Sequence, residues 1–230
     1  MKLLFLRKIH IKFLFLLFAY FFNLSISKAQ IGLTAGINFS NIVGHNVGNE
    51  KLNLKINTGF QAGVVYGIPL LADFVIQPAL LLTSKGSRET GTPGPDNYIF
   101  TKTGYYLELP INLIYQPVLG KGHLLFGAGP YLGYGLEGVW KNESTANTKG
   151  TLVFVNDFNQ YDNAGGKNLV YGKKIDYGAN LLAGYKFSNK VSVQLNSQFG
   201  LMDITPLKDG EKLDVKQNNI QFGLSVGYSF

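Results

Sequence analysis

The chain has no cysteine. That excludes disulfides, thiolate metal sites and a cysteine nucleophile. It also argues against a lipoprotein, which needs a cysteine at its cleavage site. Histidine is scarce, with three in the whole chain. No His-Glu-x-x-His metal motif occurs. After residue 29 no segment repeats its apolar residues at the helical period. The excess of basic residues is also largely absent once the first segment is set aside. Met1 to Ala29 reads as a secretory signal peptide. Lys2, Arg7, Lys8 and Lys12 form its positive region, Phe13 to Phe22 its apolar region, and Ser27-Lys28-Ala29 a small-x-small cleavage site. The alternative, an uncleaved anchor, is disfavoured because the apolar run is short of the roughly 20 residues a spanning helix needs. Removing residues 1–29 takes away five basic residues and no acidic one, so 21 Lys+Arg against 14 Asp+Glu becomes 16 against 14. Nucleic-acid binding thereby loses its only support.

What remains, residues 30–230, is long enough for one domain. It contains eight alternating stretches, near 31–40, 56–67, 73–85, 98–116, 122–138, 174–187, 190–202 and 218–230. Alternation of apolar and small polar residues marks strands with two unlike faces. The connections switch between long (41–55, 86–97, 139–173, 203–217) and short (68–72, 117–121, 188–189). This pattern predicts an all-β fold, an eight-stranded antiparallel up-and-down barrel. Short turns would lie on the periplasmic side and long loops outside.

Residue types decide which face points outward. One face carries Gly32, Thr34, Gly36 and Asn38, then Gly59, Gln61 and Gly63. Later strands add Glu108, Asn112 and Gln116, then Ser192, Gln194, Asn196 and Gln198. Glu108 aside, these are small or neutral hydrogen-bonding residues, suited to a narrow polar lumen rather than to bulk water. The opposite faces read Ile31, Leu33, Ala35, Ile37, Phe39 and Tyr105, Leu107, Leu109, Ile111, Leu113, Tyr115. A soluble ligand-binding barrel would invert this arrangement and carry Lys and Glu on its polar face. Two aromatic bands are expected. Tyr66, Phe74, Tyr115, Tyr185, Phe187, Tyr228 and Phe230 lie near short turns, and Phe39, Tyr98, Phe100, Tyr105, Tyr134, Trp140 and Tyr177 near long links.

The last eleven residues alternate without a break from Ile220 to Phe230. This ending resembles the C-terminal signature of bacterial outer-membrane barrels. Phe222, Leu224, Val226, Tyr228 and Phe230 are then the expected assembly signal, read by the barrel-assembly machinery. Further segments resemble the PorT-like family of outer-membrane barrels. They are Gly32 to Ser40, Gln77-Pro78-Ala79-Leu80 through Gly86, Tyr106-Leu107-Glu108-Leu109-Pro110, Phe126-Gly127-Ala128-Gly129-Pro130-Tyr131 and Gly200 to Ile204. The resemblance covers almost the whole exported chain. It implies a single membrane barrel in the bacterial outer membrane. It also implies partners among secretion-system proteins, because the family's namesake is associated with export across that membrane.

Glu108, Asn112, Glu137, Asp176, Lys186 and Gln194 alternate toward the lumen and are candidates for a polar network there. A buried charge requires a partner, and Asn112, Gln77, Gln194 and Asn196 are the expected ones. Pro78, Pro110 and Pro130 cannot donate to the ladder, so each marks a bulge or locally broken pairing. The segment Thr151 to Val155 is expected as a strand extension above the membrane. Asn142-Glu143-Ser144 is a glycosylation-like triplet without expected meaning in a bacterial barrel. Lysines 141, 149, 167, 173 and 174 in or beside this loop are candidates for contact with lipopolysaccharide phosphates, but Glu143, Asp157 and Asp162 largely offset them and a solvated loop is the preferred reading.

No catalytic, cofactor-binding or metal residues are assigned, and no cofactor is expected. The expected role is non-enzymatic, structural or accessory, in protein secretion or surface interaction. Two alternatives remain. One is a lipid-modifying hydrolase of the outer leaflet with His45 as base; the other histidine, His123, belongs to a short periplasmic turn. The second is a narrow channel, which an eight-stranded interior filled by side chains disfavours.

Overall fold

Each alternating stretch becomes a strand, because pairing is the only way to satisfy its backbone when one face is apolar and the other polar. The computed structural model describes residues 30–91, 98–143, 148–159 and 169–230. The expected export signal, residues 1–29, lies outside the described residues. So do Ser144 of the glycosylation-like triplet, Asp162, Lys167 and the tip of the 86–97 link.

Eight strands make the wall: β1 (Gln30–His45), β2 (Lys55–Leu71), β3 (Phe74–Gly91), β4 (Tyr98–Tyr115), β5 (Gly122–Glu143), β6 (Ile175–Lys186), β7 (Val191–Gly200) and β8 (Lys216–Ser229). Consecutive strands pair antiparallel throughout. β8 then pairs with β1 from Gly32↔Ser229 to His45↔Lys216, which closes the ring. Among the described residues, closure gives each of the eight wall strands a partner on both sides, the condition for a strand structure in hydrocarbon.

The wall is inside-out relative to a soluble domain. Asn38, Thr83, Lys85, Glu108, Asp176, Asn219 and Gln221 are buried. Leu33, Ile37, Leu109, Ile111, Leu113, Leu224 and Val226 are exposed. On β4 the outward band runs from Tyr115 to Tyr105. At about 3.3 Å per residue and a tilt near 40°, that span is about 25 Å, the height of a hydrocarbon core. Phe74 and Tyr115 lie 5.1 Å apart and tilted at the short-turn end, where Tyr185 and Phe187 meet edge-on at 4.9 Å.

The three prolines break pairing without shifting register. Beside Pro78 the β2–β3 ladder passes from Val65↔Ala79 to Ile68↔Ile76. Beside Pro110 the β3–β4 ladder passes from Pro78↔Ile111 to Leu81↔Glu108. Beside Pro130 the β4–β5 ladder passes from Pro110↔Tyr131 to Leu113↔Ala128. Each proline thus faces a gap on the preceding strand, as a residue without an N–H must.

The bulge that matters lies elsewhere. Tyr105 pairs with Glu137 and Tyr106 with Gly135, so Leu136 is an extra residue on β5. A one-residue insertion inverts every side chain beyond it. Two expectations are corrected by this single residue. Glu137 is exposed on the outer face rather than in the lumen. Trp140 is buried in the extracellular mouth, against Phe100 at 5.4 Å, rather than in the outer aromatic band.

Above the bulge the wall forks. Below it β5 pairs with β6, ending at Ile175↔Tyr134. Above it β5 pairs with a strand at Thr148–Phe154, from Gly138↔Leu152 to Asn142↔Thr148. That strand runs parallel to Leu169–Gly172, which leads down into β6. The expected extension over 151–155 exists, but it does not simply rise above the membrane. Its Leu152 and Phe154 turn into the mouth and are buried against Tyr106.

Candidate functional site

The lumen is layered. Near the periplasmic end Ile114, Leu125 and Leu182 form a small apolar plug. At the extracellular end Tyr106, Leu152 and Phe154 form another, with Val170 packed against it. Phe154 meets Tyr106 edge-on at 5.0 Å. Its slot exists because two wall positions are glycine: a Cβ on Gly135 would lie 2.5 Å from its ring, and one on Gly104 2.7 Å.

Between the plugs the side chains are polar. Asn38 Nδ2 donates to Thr83 Oγ1 at 3.0 Å and to the Phe60 carbonyl at 2.9 Å. Asn180 Nδ2 donates to Asn112 Oδ1 at 2.9 Å, and Asn196 Nδ2 to Ser225 Oγ at 2.9 Å. At the top of this layer sits Lys85, whose side chain is fully buried. Its Nζ lies 2.5 Å from Glu108 Oε1 and 3.1 Å from Asp176 Oδ2. The same ammonium stands 4.2 Å from the Tyr131 ring centroid, a cation–π distance. The Tyr131 hydroxyl donates to Asp176 Oδ2 at 3.2 Å, and Asn219 Nδ2 donates to the same oxygen at 3.0 Å. Gln198 Nε2 donates to Glu108 Oε2 at 3.1 Å.

One ammonium therefore serves two carboxylates, and neutral donors complete their shells. Six consecutive strands, β3 to β8, each contribute one member. A charge so far from water requires this degree of compensation. The arrangement holds the wall together across the lumen, and every member is engaged by another protein group.

Of the expected network residues, the structure brings together Glu108 and Asp176, through Lys85. Asn112 bonds to Asn180 one layer below. Gln194 bonds to Ser192 at 3.3 Å, and Lys186 Nζ to Gln30 Oε1 at 2.7 Å, both near the periplasmic mouth. These two line a space of about 70 Å³ there, while a second space of about 30 Å³ lies among Gln61, Asn112 and Gln198. Glu137 is outside the barrel. Lys85 and Tyr131 were not among the expected residues, nor was Asn219. Parity alone locates Lys85, because Gln77, Thr83 and Lys85 share the inward face of β3, but it stands where a strand end was expected.

Two motif spellings prove to be strand residues. Gly223-Leu224-Ser225-Val226-Gly227 has the letters of a Gly-x-Ser-x-Gly nucleophile elbow, yet it lies within continuous β8 and Ser225 faces the lumen. Gly133-Tyr134-Gly135-Leu136-Glu137-Gly138 has the letters of a dinucleotide loop but lies within β5. Neither opens a helix, the context that each chemistry needs. His45, at the end of β1, borders a small polar space lined by Asn46, Asn49, Lys212, Asp214 and Lys216, with no hydroxyl side chain among its lining residues.

The sequence of residues 20–206 matches the family described as outer membrane protein beta-barrel domain. The chain belongs to that family. Its place is the bacterial outer membrane, and the inside-out wall is the family's barrel.

No curated protein matches the chain in sequence. Among solved structures, it is similar to Ail of Yersinia pestis in complex with the heparin analogue sucrose octasulfate. Identity there is 14%, covering 88% of this chain and 99% of that one, with a TM-score of 0.38. Neisserial surface protein A is 11% identical over 88% and 99% of the two chains, with a TM-score of 0.41. The outer membrane enzyme PagL is 15% identical over 83% and 98%, also with a TM-score of 0.41. Likenesses this remote carry nothing about activity.

Proposed function

We propose that this family member is a non-enzymatic barrel of the PorT-like kind, which serves a protein partner in secretion or at the cell surface through its outer loops and rim. One observation carries the reading. The lumen is committed to bracing the wall: Lys85, Glu108 and Asp176 satisfy one another, and apolar plugs lie above and below. This leaves the extracellular hairpin and loops as the surface on which a role can be built. The five segments that resemble PorT-like proteins support the secretion branch.

The filled lumen speaks against the narrow channel. Among the described residues, the space beside His45 is lined by no hydroxyl side chain, which speaks against the lipid hydrolase. Deleting the gene and profiling exported surface proteins tests the proposal. Loss of a defined set of exported proteins, with unchanged lipid A mass spectra, is expected. An unchanged export profile with altered lipid A would replace it by the hydrolase reading. A pull-down from detergent-solubilised outer membranes should retain secretion components.

A further inference from the structure

The fork in the wall leaves an open recess of about 570 Å³, lined by Leu82, Tyr105, Tyr134, Leu136, Glu137 and Lys174. Phe154 closes its inner end. It forms because β5 changes partners. Gly135 N still donates to the Lys174 carbonyl at 2.7 Å, while Val155 N already donates to the Gly172 carbonyl at 2.8 Å. Between these two bonds the strands diverge.

The recess opens on the outward face, where Leu82, Tyr134 and Leu136 are exposed. Tyr105 and Tyr134 belong to the outer aromatic band, so the opening lies at the boundary between outer-leaflet hydrocarbon and headgroups. An apolar recess at that depth is open to lipid acyl chains. The bulge adds the second half of the site: it turns Glu137 outward, directly opposite Tyr105 in the ladder. Lys174 lies across the fork. Among the described residues neither Glu137 nor Lys174 has an ion-pair partner within 4.0 Å. An acid and a base, both unpaired, at headgroup height are complementary to a headgroup that carries both charges.

We propose that the fork is a lipid site. It takes one outer-leaflet lipid, its acyl chain along Tyr134 and Leu136, its phosphate on Lys174 and its primary amine on Glu137. The proposal stands apart from the role suggested for the loops.

The test uses the folded barrel in phosphatidylcholine nanodiscs with equal amounts of phosphatidylethanolamine and phosphatidylglycerol. Lipids that stay bound are counted by native mass spectrometry. The wild type should retain one lipid and favour phosphatidylethanolamine about threefold, the scale of one well-placed ion pair. Glu137→Lys should reverse that preference. Leu136→Trp fills the recess and should lower retention about tenfold, the scale of losing one buried chain contact. A heat-modifiable gel shift confirms that each variant is folded. Equal retention by Leu136→Trp overturns the recess, and an unchanged preference in Glu137→Lys overturns the headgroup assignment. Either result defeats the proposal, leaving annular lipid only.

Discussion

Lys85 Nζ stands 3.1 Å from Asp176 Oδ2, although the two residues are 91 positions apart. The contact crosses the lumen from β3 to β6. With Glu108 on β4 it places two carboxylates on one buried ammonium. In a wall whose outer face is wetted by lipid, this is where the barrel carries its cross-strand specificity.

Removing the cation should therefore cost more than removing the whole network. Lys85→Met leaves Glu108 and Asp176 buried without their counter-charge and should destabilise the barrel by about 3–5 kcal/mol. Adding Glu108→Gln and Asp176→Asn to Lys85→Met should restore more than half of that loss. Urea unfolding of the refolded barrel, followed by heat-modifiable mobility, checks both values.

Phe154 is the keystone of the extracellular plug. Phe154→Ala should cost about 3 kcal/mol, toward the lower end for a buried aromatic because loops can settle into the space. Gly135→Val places a branched side chain where a Cβ alone would meet the Phe154 ring at 2.5 Å. It should expel the ring and act like the alanine. Both variants should stay electrically silent in planar bilayers, because the Lys85 layer and the lower plug remain. A stepwise conductance in either one would show that Phe154 alone closes a path.

The outward face should reject charge according to depth. Leu109 lies in the middle of the β4 apolar band, and Tyr115 at its periplasmic edge. Leu109→Arg should cost about 2–4 kcal/mol and Tyr115→Arg about 0–1 kcal/mol. Equal costs, measured by reversible unfolding in vesicles, would mean that this face does not meet hydrocarbon.

Phe230 is predicted to matter for assembly. Its N–H donates to the Ile31 carbonyl at 2.8 Å, and its ring meets Tyr228 edge-on at 5.4 Å. Deleting it removes one closing hydrogen bond and an aromatic anchor, a modest loss of stability. In cells, the deletion should lower the yield of folded barrel in outer membranes several-fold more than it lowers stability in refolding assays. Insertion at normal yield would reduce Phe230 to an ordinary strand end.

Much of this protein is determined locally. Alternation is a property of neighbouring residues, so the sequence alone determines the eight strands, their faces, the polar lumen and the apolar exterior. Proline positions likewise mark where the ladder breaks, because the missing N–H belongs to the residue itself. Three features were decided only by the tertiary structure. Leu136 is a bulge because its partner strand runs past it out of step, and no local pattern signals one extra residue. That residue reverses Glu137 and Trp140, and it opens the fork. The other members of the Lys85 network come from five other strands, and closure of the ring is what brings them together. Phe154 enters the mouth because Gly104 and Gly135, far apart in sequence, leave it a slot. Parity says which way a side chain points; only the closed barrel decides what it meets there.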